Sequence, residues 1–300
     1  MSVVNPPGVY ASLGPMAEKH PARVRIAAFL AVLPLLLGGA ALAGAAIEPH
    51  GDDPTAREAA QEDHGAAGTG HAPDPVRGLA VAQDGLRVVV EQPELRRGRS
   101  ERLRFRIADE RGRAVRDFDV AHEKRMHLIL ARRDLTGFQH LHPALEADGT
   151  WTADVRLRDA GSYRLFTDFS HAGTPRTLAA DLRVDGAADL RPLPAPRRAA
   201  VGDGGYDVRL DAGRARPGEE ADLRFAITRD GRPVRTEPYL GAGGHLVALR
   251  EGDLAFLHVH PMDDGVRFAA TFPTAGRYRL FLQFRHEGRV RTVAFTQEVR

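Results

Sequence analysis

The chain has 300 residues, 43% of them apolar, and a formal charge of +2. That length allows two domains of ordinary size, and that apolar content builds packed cores. There is no cysteine, which excludes disulfides, thiolate metal sites, cysteine nucleophiles and blue-copper electron transfer.

Residues 1–25 read as a cytoplasmic tail or as the basic region of a signal peptide, carrying Lys19, Arg23 and Arg25. An uncharged run follows over 26–47, and Glu48, Asp52 and Asp53 come after it. Basic before and acidic after orients the N-terminus inward. The run is long enough to cross a bilayer of roughly 30 Å as a helix, while Ala41-Leu42-Ala43 offers a signal-cleavage pattern. Both readings place the rest of the chain outside the cytoplasmic membrane, either on a single-pass anchor or secreted after cleavage. Residues 48–78 are rich in Ala, Gly, Asp, Glu and Pro and read as a flexible tether.

From Leu79 the pattern changes to short apolar runs: LRVVV at 86–90, RLRFRI at 102–107, MHLILA at 126–131, TADVRL at 152–157 and YRLFTDF at 163–169. Turn signals such as Asp148-Gly149 and Ala160-Gly161 separate them. A proline-rich linker spans 187–202, and the strand pattern then begins again. The expectation is an all-β protein: two immunoglobulin-like β-sandwich domains in tandem, 79–186 and 203–300, preceded by a transmembrane or signal helix. The arginines alternate with acidic and apolar residues, so they read as solvated strand faces and not as a nucleic-acid surface.

The two halves align. Leu103-Arg-Phe105 matches Leu223-Arg-Phe225, and Ala160-Gly-Ser-Tyr163 matches Ala275-Gly-Arg-Tyr278. Histidines align between these anchors: His127 with His245, His140 with His258, His142 with His260, and His171 with His286. The motif FQHLHP at 138–143 thus returns as FLHVHP at 256–261. His-x-His on a strand puts both rings on one face, so two side chains can converge on one ion. A third ligand is expected from the neighbouring strand at His127 or His245, and a fourth from His171 or His286. Imidazole suits copper or zinc. Met126 and Met262 lie near these positions, and Asp168, replaced by Gln283 in the second repeat, is a further ligand or supporting residue. The competing reading makes the histidines hydrogen-bonded core residues. Gly241-Ala-Gly-Gly244 reads as a turn or bulge, and Trp151 as a residue packed over the core.

MHLILARRDLTGFQHLHP and EPYLGAGGHLVALREGDLAFLHVHP resemble a functionally uncharacterised group of bacterial exported or membrane-anchored proteins with two such repeats joined by a proline-rich linker. The resemblance covers about residues 80–300 and implies architecture. A looser likeness, in sandwich pattern and His/Met usage, links the repeat to small immunoglobulin-like copper carriers of the bacterial envelope. The expected function is non-catalytic binding of a transition metal, copper first and zinc second, for sequestration, transfer or sensing. The alternative is a metal-free interaction module that docks an envelope or membrane protein.

Overall fold

The structure, a computed structural model, describes residues 76–257, 259–262 and 265–300. The tail, the apolar run, most of the tether and His258 lie outside the described residues. Among the described residues no helix is long and apolar enough to cross a membrane.

The first repeat opens with β1 (Ala82–Gln83), β2 (Leu86–Val90), β3 (Glu94–Leu95), β4 (Ser100–Ala108) and β5 (His127–Arg132). It continues with β6 (Gln139–Leu141), β7 (Ala144–Leu145), β8 (Trp151–Arg156), β9 (Gly161–His171) and β10 (Thr174–Val184). One sheet runs β1-β2-β4-β8-β7 and the other β3-β10-β9-β5-β6. The central strands follow the immunoglobulin order, A-B-E-D against G-F-C-C′.

The second repeat opens with β11 (Ala199–Gly202), β12 (Tyr206–Asp211), β13 (Glu220–Arg229), β14 (Arg232–Pro233) and β15 (His245–Arg250). It closes with β16 (Phe256–Leu257), β17 (His260–Pro261), β18 (Arg267–Thr271), β19 (Gly276–His286) and β20 (Arg289–Val299). Its sheets, β11-β12-β13-β18-β17 and β16-β15-β19-β20, repeat the same order. Each repeat also has the tyrosine corner of immunoglobulin-like sandwiches. The Tyr163 hydroxyl donates to the Asp159 carbonyl at 3.0 Å, and the Tyr278 hydroxyl to the Thr274 carbonyl at 2.9 Å.

Burial explains the two kinds of strand. β12, YDVRLD, alternates buried and exposed residues, because one face meets the core and the other meets water. β5, HLILAR, is buried throughout. Leu128 and Leu130 face the core of their own sandwich, while Ile129 and Ala131 face the other repeat. There they join Phe166 and Ala179, against Val247, Leu249, Phe256 and Phe281. Phe138 stacks on Phe281 with ring centres 4.0 Å apart, and Phe166 meets Phe256 at 5.6 Å. Phe138 aligns with Phe256, and Phe166 with Phe281. The two pairs are therefore one contact made twice about a local two-fold axis, as in an isologous dimer.

Two segments read as spacers are tied into this interface. Arg77 and Gly78, assigned to the tether, bridge the repeats: the Phe256 amide donates to the Arg77 carbonyl at 3.0 Å, and the Gly78 amide to the Thr177 carbonyl at 3.2 Å. In the linker, Leu193 is buried in the shared cluster and the last four residues form β11.

Gly78 has a φ of +68°, and a Cβ there would lie 2.8 Å from both Phe166 Cδ1 and Phe256 Cβ. Gly78→Ala is expected to destabilise the chain by about 2–3 kcal/mol, through overpacking plus left-handed strain. Gly98 has a similar φ of +69° but open space around it, so Gly98→Ala is expected to cost about 1 kcal/mol. Denaturant unfolding of both variants checks the difference.

Candidate metal centre

The C–C′ hairpin places the first three histidines. β5 and β6 pair with Leu128 opposite Leu141 and Ile129 opposite His140. One step further along that register, His127 faces His142. Side chains alternate along a strand, so His127, His140 and His142 share the face turned toward the second repeat. Their ligand nitrogens all lie within 4.8 Å of one another.

The ring centres are 5.2 Å apart for His127 and His140, 5.1 Å for His127 and His142, and 4.9 Å for His140 and His142. Three imidazoles on one ion at roughly 2.0–2.1 Å would put their ring centres about 5 Å apart. The triad already has that spacing.

Proton placement supports the same arrangement. His127 Nε2 lies 3.2 Å from the Ala121 carbonyl oxygen, which can only accept, so the proton is on Nε2. His140 Nδ1–H donates to Gln283 Oε1 at 2.6 Å. With both protons directed outward, His127 Nδ1 and His140 Nε2 face each other at 3.0 Å with a lone pair on each. His142 Nε2 is buried and has no hydrogen-bond partner. Two acceptor nitrogens therefore face each other, and His142 offers a ring nitrogen to the same group. Metal-bound histidines are held in this way, with the second ring nitrogen tied to a carbonyl or carboxyl-type oxygen.

Burial also keeps these rings neutral. It pushes His140 down to about 3, against the opposing effect of the Gln283 bond. It takes His142 down to about 4, helped by neighbouring His127. His127 is lowered by burial and partly held up by Asp168. Neutral imidazole is the form that binds metal.

The second repeat contributes to this same centre. The His245 ring stacks on His140 with centres 4.8 Å apart and lies nearly parallel to His127 at 5.5 Å. Burial, then the nearby His140, holds its pKa well below the ordinary value. Gln283 sits opposite His245 in β19 and is anchored by its amide N–H donating to Thr292 Oγ1 at 3.2 Å. Asp168 holds the matching place opposite His127 and accepts from Thr177 Oγ1 at 2.7 Å. It supports the cluster from behind.

His122 was assigned no role from the sequence. It sits in a tight turn where both His122 and Glu123 have positive φ, 50° and 65°. That turn brings its ring to 6.2 Å from His127 and 6.3 Å from His245. The sequence signal was its position five residues before His127, without an aligned histidine in the second repeat.

The remaining expected ligands are elsewhere. His171 and His286 do not join their quartets. Each lies three positions beyond the residue opposite the cluster histidine, and an odd step along a strand lands on the other face. His171 Nδ1–H donates to the Asp117 carbonyl at 2.7 Å, and His286 Nδ1 shares a hydrogen bond with the Tyr206 hydroxyl at 2.8 Å. His260 is exposed and pairs with Ala269 on the opposite sheet. The chain crosses to that sheet at β17 in the second repeat, whereas in the first it stays beside β6 until Ala144. Met126 is 1% exposed in the core of the first sandwich and faces away from the cluster. Met262 is exposed. The described residues thus show a single histidine cluster at the local two-fold, not a quartet in each repeat.

The fold and this cluster define a tandem immunoglobulin-like protein whose two sandwiches close over a shared histidine centre. The chain belongs to the family described as Domain of unknown function (DUF8832), whose profile matches twice, at 80–186 and 199–300. No curated protein sequence matches it. Among solved structures it is similar to the Escherichia coli adhesin FdeC at 16% identity, covering 74% of this chain and 66% of that one, with a TM-score of 0.27. Salmonella alpha-2-macroglobulin reacted with methylamine matches at 15% identity over 76% of this chain and 15% of that one, with a TM-score of 0.27. A chimeric titin Z1Z2 matches at 14% identity over 71% and 96%, with a TM-score of 0.18.

Proposed function

We propose that the chain binds one transition-metal ion between its repeats, held by His127, His140 and His142. The convergence of three imidazoles within 4.8 Å, with acceptor nitrogens of His127 and His140 face to face at 3.0 Å, carries this reading. An all-imidazole set without thiolate or thioether favours Cu(II) over Zn(II) in affinity and leaves Cu(I) without a soft donor. A three-histidine set would also leave a coordination position open, and the His245 ring is stacked on His140 at 4.8 Å. The reading is of a binding protein for sequestration, transfer or sensing, positioned outside the cytoplasmic membrane by the N-terminal apolar run.

Titration of the metal-free full chain with Cu(II), and separately with Zn(II), is expected to saturate at one equivalent per chain. Saturation at two would restore a site in each repeat. No uptake would make the histidines structural and favour the metal-free interaction module.

Gln283→Leu keeps the side-chain bulk but removes the oxygen that fixes the His140 proton on Nδ1. Metal affinity is expected to fall about 10–100-fold, the usual effect of losing such a partner. Competition against a chelator of known affinity measures it.

A further inference from the structure

The second sandwich has an open cleft that the first one fills. The cleft has a volume of about 920 Å³ and is lined by Phe225, Ile227, Val234, Thr236, Pro238 and Val266. Backbone hydrogen bonds align the two repeats here. The Val115 amide donates to the Ile107 carbonyl, as Val234 does to Ile227, and the Asp119 amide donates to Ser170, as Glu237 does to Arg285. Phe105 pairs with Trp151, and the Phe225 amide donates to the Val266 carbonyl.

Val266 therefore stands where the first repeat has Trp151. Thr236, just before Glu237, stands where it has Phe118, just before Asp119. In the first repeat those two rings meet edge to face at 5.1 Å, and Phe118 also meets Phe169 at 5.5 Å. Both are buried, at 2% and 5% exposure. The matching turns, where the Ala121 amide bonds Lys124 and the Tyr239 amide bonds Ala242, differ in the same direction. Lys124 and Arg125 give way to Ala242 and Gly243, which also line the cleft. Four positions at one end of the sandwich have become smaller together, and Phe225 is 8% exposed where Phe105 is 0%.

We propose that this cleft binds a small, neutral, planar aromatic molecule of about indole size. The sister repeat shows what the site accommodates, since an indole and a phenyl ring occupy the equivalent space. Apolar cavities of about 150 Å³ already take up benzene. Among the described lining residues Arg235 alone carries a charge, and the apolar side chains around it select an uncharged ring. The proposal is independent of the metal centre.

Indole is the probe. In methyl NMR spectra of the full chain, indole is expected to shift Val234, Val266 and Ile227, saturating with a Kd of about 1 mM or below. Val266→Trp and Thr236→Phe, which restore the residues of the first repeat, are each expected to weaken indole by about tenfold or more, as filling a pocket does. His142→Ala is expected to leave indole binding unchanged. Absence of shifts in the wild-type chain would overturn the proposal without reference to any variant, as would unaltered binding in both filled variants. Self-association of the chain that Val266→Trp abolishes, with no response to indole, would show a second copy covering the cleft and would also overturn it.

Discussion

Changing His142 to Ala is expected to weaken Cu(II) binding by at least about 100-fold, or about 2.8 kcal/mol, while leaving the metal-free fold nearly as stable as before. The second half of this expectation follows from one atom. His142 Nε2 is buried without a hydrogen-bond partner, so its removal breaks no bond in the metal-free chain and relieves an unsatisfied polar group. A structural histidine would behave in the opposite way, losing stability with nothing to lose in affinity. His140→Ala should lower both, because it also strands Gln283 Oε1 at the interface. His171→Ala and His286→Ala should bind the ion as the wild type does, since those rings lie on the far sheet faces with partners of their own. Thermal unfolding gives a second readout. Ligand at 100 times its Kd adds about 2.7 kcal/mol to the folded state, and that gain should disappear in His142→Ala. Equal metal affinity in wild type and His142→Ala would overturn the assignment.

The second large effect is a loss of stability in mild acid. In the unfolded chain the cluster histidines take up protons near their ordinary pKa of about 6.5. In the folded chain burial holds His140 at about 3 and His142 at about 4, and it lowers His127 and His245 as well. The folded pKa values are depressed, so the unfolded state binds more protons throughout the interval. Stability is therefore full above about pH 6.5 and declines as pH falls toward about 4, at a slope approaching 1.4 kcal/mol per pH unit for each such group. Metal-free chain unfolded by urea at pH 7, 6 and 5 should show a falling midpoint, and replacing His140 and His142 together by Gln should flatten the decline. A midpoint independent of pH over that range would contradict the burial of these rings. Metal binding should in turn persist at pH 5.5, where an exposed histidine site would lose its ion to protons.

Much of the fold was legible because it rests on local patterns. Period-two alternation in YDVRL, the aligned Ala-Gly-x-Tyr turns and the double strand series announced two sandwiches. MHLILA was legible as a strand from its continuous apolar run. What covers its outer face was not legible, since that surface belongs to the other repeat. The ligand hairpin was partly legible. His127 and the His140-x-His142 pair follow from strand alternation and were named. His171 and His286 were chosen by sequence alignment, and an odd spacing along β9 and β19 put them on the wrong faces. His122 is not legible from strand alternation, because a turn with two positive-φ residues brings it in.

The amino-acid sequence by itself determined the strands, the duplication and which histidines could share a face, because each is a matter of neighbours along the chain. Tertiary structure decided that the two repeats pack C–C′ sheet to C–C′ sheet, with Phe138 on Phe281 and Phe166 on Phe256. That docking draws His245 and Gln283 to the triad of the first repeat, so that the described residues hold one histidine cluster where two sites were expected. The physical reason is that apolar burial is indifferent to sequence separation: the faces that gain most by leaving water meet, and the imidazoles at their edge meet with them.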